Sequence, residues 1–306
     1  MRIVSFLPSA TETLFELGLG SDLVGVTHEC KYPPAARKKP QVIHPSFDPA
    51  RMTGKEIDGK IVELMQSGGD IYIVDEKALK EADPELIVAQ GLCEVCSPFT
   101  KEIGRAVSVL GGKPDVLVLD PHDLDDVLVS IMDVAEKVGR VKEGRRLVSA
   151  LQKRIDAVRA IKAKKSNKPK VVCIEWVDPP FTAGHWVPQM VEYAGGINGL
   201  SSAGEQSRRM DFEEIAKFDP DIIVMMPCGF GVKRTLEEMK ALKGNVKWES
   251  LRAVKQKSVY AVESGAYFSK PSPRTVVGLE ILAKIINPEA SRKIKVPKGS
   301  YKKVVK

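Results

Sequence analysis

The sequence predicts an α/β fold of two lobes, each a mostly parallel sheet flanked by helices, bridged by a single long helix. Three observations predict it. Short β-branched runs alternate with helical stretches before residue 120 and again after residue 168, the pattern of βαβ units. Between them, residues 120–165 carry an amphipathic rhythm: Leu124, Val127, Leu128, Ile131, Val134 and Val138, then Leu147, Leu151, Ile155, Val158 and Ile161, at i, i+3, i+4 spacing. Finally, KPDVLVLD in the first half and DPDIIVMMP in the second share a Pro-Asp-apolar entry into a strand, which suggests related halves without a strict repeat.

These patterns divide the chain into an N-terminal lobe over 1–138, a bridging helix over 139–167, a C-terminal lobe over 168–290 and a basic tail over 291–306. Asp120-Pro121 starts the central stretch, with Asp123, Asp125 and Asp126 near the positive end of the helix dipole and Lys162, Lys164 and Lys165 near the negative end. Gly139 and Gly144 break it in two. The second piece, 142–164, would run about 35 Å at 1.5 Å per residue. A strut of that length should hold the lobes at a nearly fixed separation; the plainer reading is one more surface helix of a single large domain.

In the first lobe the strands are RIVSF, DLVGVT, QVIHP, DIYIVD, ELIVAQG and DVLVLD, with helices over 11–17, 48–66 and 97–110. The pair Gly111-Gly112 reads as a helix end rather than a phosphate cradle, because a new strand follows it. In the second lobe PKVVCIEW is a strand, VPQMVEYAGG a helix, DFEEIAKFDPDIIVMMP a helix, turn and buried strand, 232–242 a helix, SVYAVE a strand and 273–286 a closing helix.

Composition removes several function classes. No G-x-G-x-x-G, G-x-x-x-x-G-K-[ST] or G-x-S-x-G occurs, so dinucleotide, nucleotide-triphosphate and hydrolase readings lose their main supports. The net charge of +7 would permit an anionic partner, but no aromatic-basic platform accompanies it, and no nucleic-acid partner is expected. Much of the excess sits in SRKIKVPKGSYKKVVK, which reads as a solvated, partly disordered tail, with membrane-surface or nucleic-acid contact as the alternative. No apolar run approaches the ~18 residues of a membrane span, and no leader is visible, so the chain as written is expected in the cytoplasm, or outside it if a leader was removed. The five cysteines suit buried thiols, metal ligands or redox groups better than a disulfide framework.

Ligands of parallel sheets settle beyond the carboxyl ends of the strands. Those loops here carry Ser9 to Glu12, His28 to Tyr32, His44 and Cys93 to Cys96, then Glu175-Trp176, Phe181, His185-Trp186, Cys228 and Tyr267-Phe268. Thr11 and Glu12 read equally as helix-capping residues. Aromatics among few polar groups suit a large planar ligand, so Phe181 and Trp186 are assigned to a cleft, whereas Trp176, Tyr267 and Phe268 are open between cleft and core. Cys93-x-x-Cys96 ahead of a helix, with His28 and Cys30 in a neighbouring loop, offers a four-ligand metal site, a reactive dithiol or merely structural thiols.

Taken in order, RIVSFLPSATETLFELGLGSDLVGVT with KYPPAA, DPPFTAG, DFEEIAKFDPDIIVM and YFSKPSPR resemble the cobalamin and ferric-siderophore binding proteins of ABC importers, closest to the cobalamin-binding members. The resemblance implies the class III periplasmic-binding-protein architecture and non-enzymatic binding of a corrinoid in the inter-lobe cleft, with no cofactor required. By position, Tyr32 and Phe181 match residues lining the corrinoid cleft, and Tyr267-Phe268 sit at a similar segment. Where relatives place a tryptophan ahead of the DFEE helix this chain has Arg208-Arg209, which suit a carboxylate or phosphate; His28, His44 or His185 would offer an axial donor to cobalt. Docking on a permease is implied for Glu213 or Glu214 in one lobe and Glu76 in the other, the protein acting as a monomer. A ferric siderophore, haem or bare metal ion is the alternative ligand, and a thiol- or metal-dependent enzyme using Cys93 and Cys96 is the alternative class.

Overall fold

The computed structural model describes residues 1–91, 100–161 and 168–304. The chain forms two compact units, one of Met1–Met52, Glu56–Pro121 and Asp125–Ala150, the other of Thr53–Lys55, His122–Leu124 and Leu151–Lys306.

In the first unit β1 (Ile3–Ser5), α1 (Pro8–Glu16), β2 (Leu23–Thr27) and β3 (Gln41–Pro45) are followed by α2 (Gly54–Ser67) and β4 (Tyr72–Val74). Then come α3 (Glu76–Ala82), β5 (Leu86–Gln90), α4 (Thr100–Val109), β6 (Asp115–Leu119) and α5 (Leu124–Lys137). The sheet order is β4-β3-β2-β1-β5-β6, parallel throughout except that β4 runs antiparallel to β3. Strands β1 and β5, each with a neighbour on both sides, are apolar on both faces, as a sheet covered by helices on both sides requires. Ile3 and Val88 join Leu7, Leu14 and Val134 in one core cluster, while Val4, Ile87 and Ala89 join Phe6 and Ile43 in another; the period of two sorts neighbouring residues to opposite faces.

The long helix α6 spans Val141–Arg159, about 28 Å at 1.5 Å per residue, and the division between the units falls within it, after Ala150. Residues 162–167, which the sequence reading included in the bridge, lie outside the described residues. Gly139 does end α5, with φ 69°. Gly144 breaks nothing: it lies inside α6, where a Cβ would sit 2.4 Å from the Ala135 Cβ, so it is a close-packing glycine rather than a helix breaker.

The second unit begins with β7 (Lys170–Trp176), β8 (Phe181–Thr182), α7 (Val187–Tyr193), β9 (Ile197–Asn198), α8 (Phe212–Phe218) and β10 (Ile222–Met225). It continues with α9 (Val232–Glu238), α10 (Val246–Ser250), α11 (Arg252–Lys255), β11 (Val259–Val262), α12 (Ser264–Tyr267), α13 (Thr275–Ile286) and β12 (Tyr301–Lys303). Its sheet runs β12-β11-β10-β7-β8, with β9 also on β7. Strands β7, β10 and β11 are parallel, and β8 and β12 antiparallel additions. Asp211 and Glu214 close a capping box on α8, the start that DFEE announces. The C-terminal half of α6 is tied to α13 by Arg154, which donates from Nε and Nη2 to the two Glu280 oxygens at 2.9 and 2.8 Å.

The tail is a correction to the sequence reading. Tyr301–Lys303 is an edge strand on β11, Glu263 N donates to Ser300 O at 2.8 Å and Val304 N to Val259 O at 2.8 Å. Lysine content hides such a strand, yet it satisfies a row of β11 backbone groups that would otherwise lie open.

Candidate functional site

In the second unit the loops at the strand ends assemble three arginine–aromatic pairs. Trp176, the last residue of β7, stands opposite Phe181 of β8. The segment 207–210 runs beside β8, Thr182 N donating to Arg208 O at 2.9 Å and Met210 N to Pro180 O at 2.9 Å. That pairing places the Arg209 guanidinium 5.5 Å from the Phe181 ring centroid. After β10, Phe230 lies 5.2 Å from Trp176 and carries Arg234 4.6 Å above its ring; Arg234 Nε also donates to Glu238 Oε1 at 2.9 Å. After β11, Tyr267 lies 5.7 Å beneath Arg274. Each ring offers its negative face to a cation, a contact worth about 0.5–2 kcal/mol that also fixes where the guanidinium points.

Backbone packing holds these loops. A Cβ on Gly184 would fall 2.5 Å from the Glu205 carbonyl oxygen, and one on Gly278 of α13 2.3 Å from that of Tyr267. Ser207 Oγ donates to Glu175 Oε1 at 2.9 Å and accepts from Gly184 N at 3.2 Å. The signal for Phe230, Arg234 and Arg274 was weak: Phe230 and Arg274 lie within or beside strand-end loops, but nothing local pairs either with its partner.

Several expected residues have other work. Trp186 is 4% exposed and donates its indole N–H to Phe268 O at 2.8 Å, and Phe268 is itself buried. Both belong to the core and are withdrawn from the ligand wall. Arg208 is engaged by Glu214, at 2.8 Å from Nη2, and by the Leu200 carbonyl; the mutual hydrogen bond raises the Arg208 pKa and lowers that of Glu214. Arg209 is thus the member of the pair set against an aromatic ring. His185 sits at φ 53° beside Trp186, ring centroids 5.6 Å apart. The acidic docking candidates hold cations of their own: Glu76 takes Arg105, Glu213 takes Lys247 and Glu214 takes Arg208. All are surface pairs, worth about 0–1 kcal/mol and open to exchange.

In the first unit Tyr32 is 40% exposed. Cys30 is buried, its Sγ 3.1 Å from Thr11 Oγ1 and 3.5 Å from Thr27 Oγ1, between α1 and β2. Cys93 and Cys96 lie outside the described residues. Among the described residues no group of three or more His, Cys, Asp or Glu side chains is placed to hold a metal ion. His44 Nε2 lies 3.9 Å from Asp75 Oδ2.

His28 packs 6.1 Å from the Tyr72 ring, and its buried Nδ1 has no hydrogen-bond partner among the described residues. Burial holds its pKa below the ordinary 6.5, against the raising effect of Glu29. Above 6.5 the imidazole is neutral in both states and adds no pH dependence. As the pH falls through 6.5 the unfolded chain binds the proton first, so the folded state loses stability. His28→Asn should flatten the fall in Tm between about pH 7.5 and about pH 5; an unchanged acid limb would assign it to other groups.

The periplasmic binding protein family profile matches residues 3–266, and the chain belongs to that family. Its architecture is that of the class III members, substrate-binding proteins of ABC transport systems. An ABC transporter substrate-binding lipoprotein, YvrC of Bacillus subtilis, is 28% identical over 294 residues, 94% of this chain and 80% of that protein. The periplasmic vitamin B12 binding protein BtuF of Vibrio cholerae is 19% identical at TM-score 0.66, over 96% of this chain and 98% of that one. S. aureus IsdE complexed with heme is 19% identical at TM-score 0.69, over 93% and 98%. At such identities the structural likeness is one of fold. Among the described residues no helix is long and apolar enough to cross a membrane.

Proposed function

We propose that this protein is the extracytoplasmic substrate-binding component of an ABC importer, carries no enzymatic activity, and takes as cargo a tetrapyrrole metal chelate bearing acidic groups, of the haem type. The observation that supports the cargo is the set of guanidinium groups of Arg209, Arg234 and Arg274 laid over Phe181, Phe230 and Tyr267 at the strand ends. Aromatic surface suits a planar macrocycle, and guanidinium forks suit its carboxylates. A corrinoid is the second reading, favoured by the KYPP and PPFTAG segments that carry Tyr32 and Phe181 and by the fold shared with a vitamin B12 binder. Delivery would pass through a permease contacting Glu213 or Glu214 and Glu76, the protein acting as a monomer.

Visible-absorbance titrations with haemin and with hydroxocobalamin test the two readings side by side. Arg274→Ala and Arg209→Ala should each weaken haemin about tenfold, the cost of one charge-assisted contact. A corrinoid, whose periphery is mainly amide, should respond less. Saturable binding of hydroxocobalamin with no binding of haemin would establish the corrinoid reading, and binding of neither would remove the tetrapyrrole class.

A further inference from the structure

The C-terminal segment is an ordered cationic ribbon whose one aromatic contact is Lys303 over the Tyr260 ring at 5.8 Å among the described residues, and we propose that it binds an anionic phospholipid surface. Arg292, Lys293, Lys295, Lys298, Lys302 and Lys303 are all exposed, and none forms an ion pair with an acidic side chain among the described residues. From 290 to 306 the sequence contains no Asp or Glu, so these six side chains account for nearly the whole net charge of +7. Elsewhere part of the positive charge is paired, Lys31, Lys60, Arg105, Lys137, Arg154 and Arg252 each meeting a carboxylate, and the unpaired cations are interspersed with acidic residues.

The ribbon is also held in place. Ser291 Oγ donates to Asn287 O at 2.6 Å, Ser300 N to Pro297 O at 3.1 Å, and β12 pairs with β11. A preformed cationic segment pays little ordering entropy on contact. Lys302 and Lys303 lie on the edge strand, where lysines also bar pairing with another chain. Edge protection does not account for Arg292, Lys293, Lys295 and Lys298, which precede the strand. Ile294, Val296, Pro297 and Tyr301 alternate with the cations, a mixture suited to a headgroup boundary, whereas a single-stranded nucleic-acid site would call for more than one aromatic ring to stack bases.

The test is sedimentation of the full-length protein with phosphatidylcholine vesicles and with vesicles containing phosphatidylglycerol, at about 0.1 M and about 0.5 M salt. Binding is expected only to the anionic vesicles and only at the lower salt. Replacing Lys293, Lys295, Lys298 and Lys302 by Gln should weaken partitioning at least about tenfold, each cation near a charged surface being worth about a factor of five. A control replacing the exposed Lys142, Lys153, Lys217 and Lys240 by Gln lowers net charge equally and should change it less than about threefold. Equal loss in both variants, equal binding to neutral vesicles, or no vesicle binding would overturn the proposal. Tighter binding to duplex DNA, lost in the tail variant, would reassign the ribbon to nucleic acid. The readout does not involve cargo, so its failure leaves the tetrapyrrole reading intact.

Discussion

Trp186→Ala should destabilise the second unit by about 3–5 kcal/mol, the range for emptying a buried tryptophan site. The ring is 4% exposed and joins Phe268 in the interior, so truncation leaves a cavity and also strips the Phe268 carbonyl of its donor. Trp186→Phe separates the two contributions. It keeps most of the packing and loses the hydrogen bond, which should cost about 1–2 kcal/mol beyond the smaller ring. Chemical denaturation read by the transition of the second unit measures both. Because Phe268 adjoins Tyr267, which carries Arg274, affinity is expected to fall only where the variant begins to unfold. A variant that kept full stability and lost cargo binding would return Trp186 to the ligand wall.

The parallel strands were legible because each is a β-branched run bounded by turn residues, and burial on both faces leaves such runs nearly unbroken. Ile3, Val4, Ile87 and Val88 carry that signature, in strands β1 and β5 that are paired on both sides. What local pattern could not show is a contact across the fold. Gly144 has a breaker's intrinsic preference, yet the decisive fact is the nearness of Ala135 on the preceding helix. Strand β12 is equally opaque, since Tyr301–Lys303 has too little apolar content to declare itself and owes its form to the open edge of β11.

The site divides along the same line. Topology alone directs attention to the strand-end loops, where Phe181 and Tyr267 lie. In sequence an aromatic beside Pro179, Pro180 and His185 looks the same whether its indole faces a cleft or, as that of Trp186 does, donates to a carbonyl 82 residues further along the chain. Arg208 and Arg209 are adjacent and chemically alike. Only the alignment of 207–210 beside β8 sends one to Glu214 and the other to Phe181. Arg234 and Arg274 carry no local mark, their meaning coming from the rings beneath them.

Arg154→Ala should cost the second unit about 2–4 kcal/mol, more than Glu280→Ala, although the two remove the same ion pair. The asymmetry follows from exposure. Glu280 lies on the apolar helix α13 between Leu279 and Ile281, its side chain 12% exposed, whereas the Arg154 side chain is 40% exposed. Without Arg154 a carboxylate remains in the interior with its charge uncompensated. Without Glu280 the guanidinium turns to water, and about 1–2 kcal/mol is the expected loss. The pair raises the Arg154 pKa through its hydrogen bonds, which agrees with a contact made to the charged form. Replacing both residues by leucine should restore stability to within about 1 kcal/mol of the parent, because a leucine at the buried position 280 needs no desolvation of charge and no partner. A double-mutant cycle of Arg154→Ala, Glu280→Ala and the variant carrying both alanines, measured by urea denaturation, should show a coupling of about 1–3 kcal/mol. Additive single effects would mean that α6 is held on α13 by packing of Leu151, Ile155 and Val158 alone.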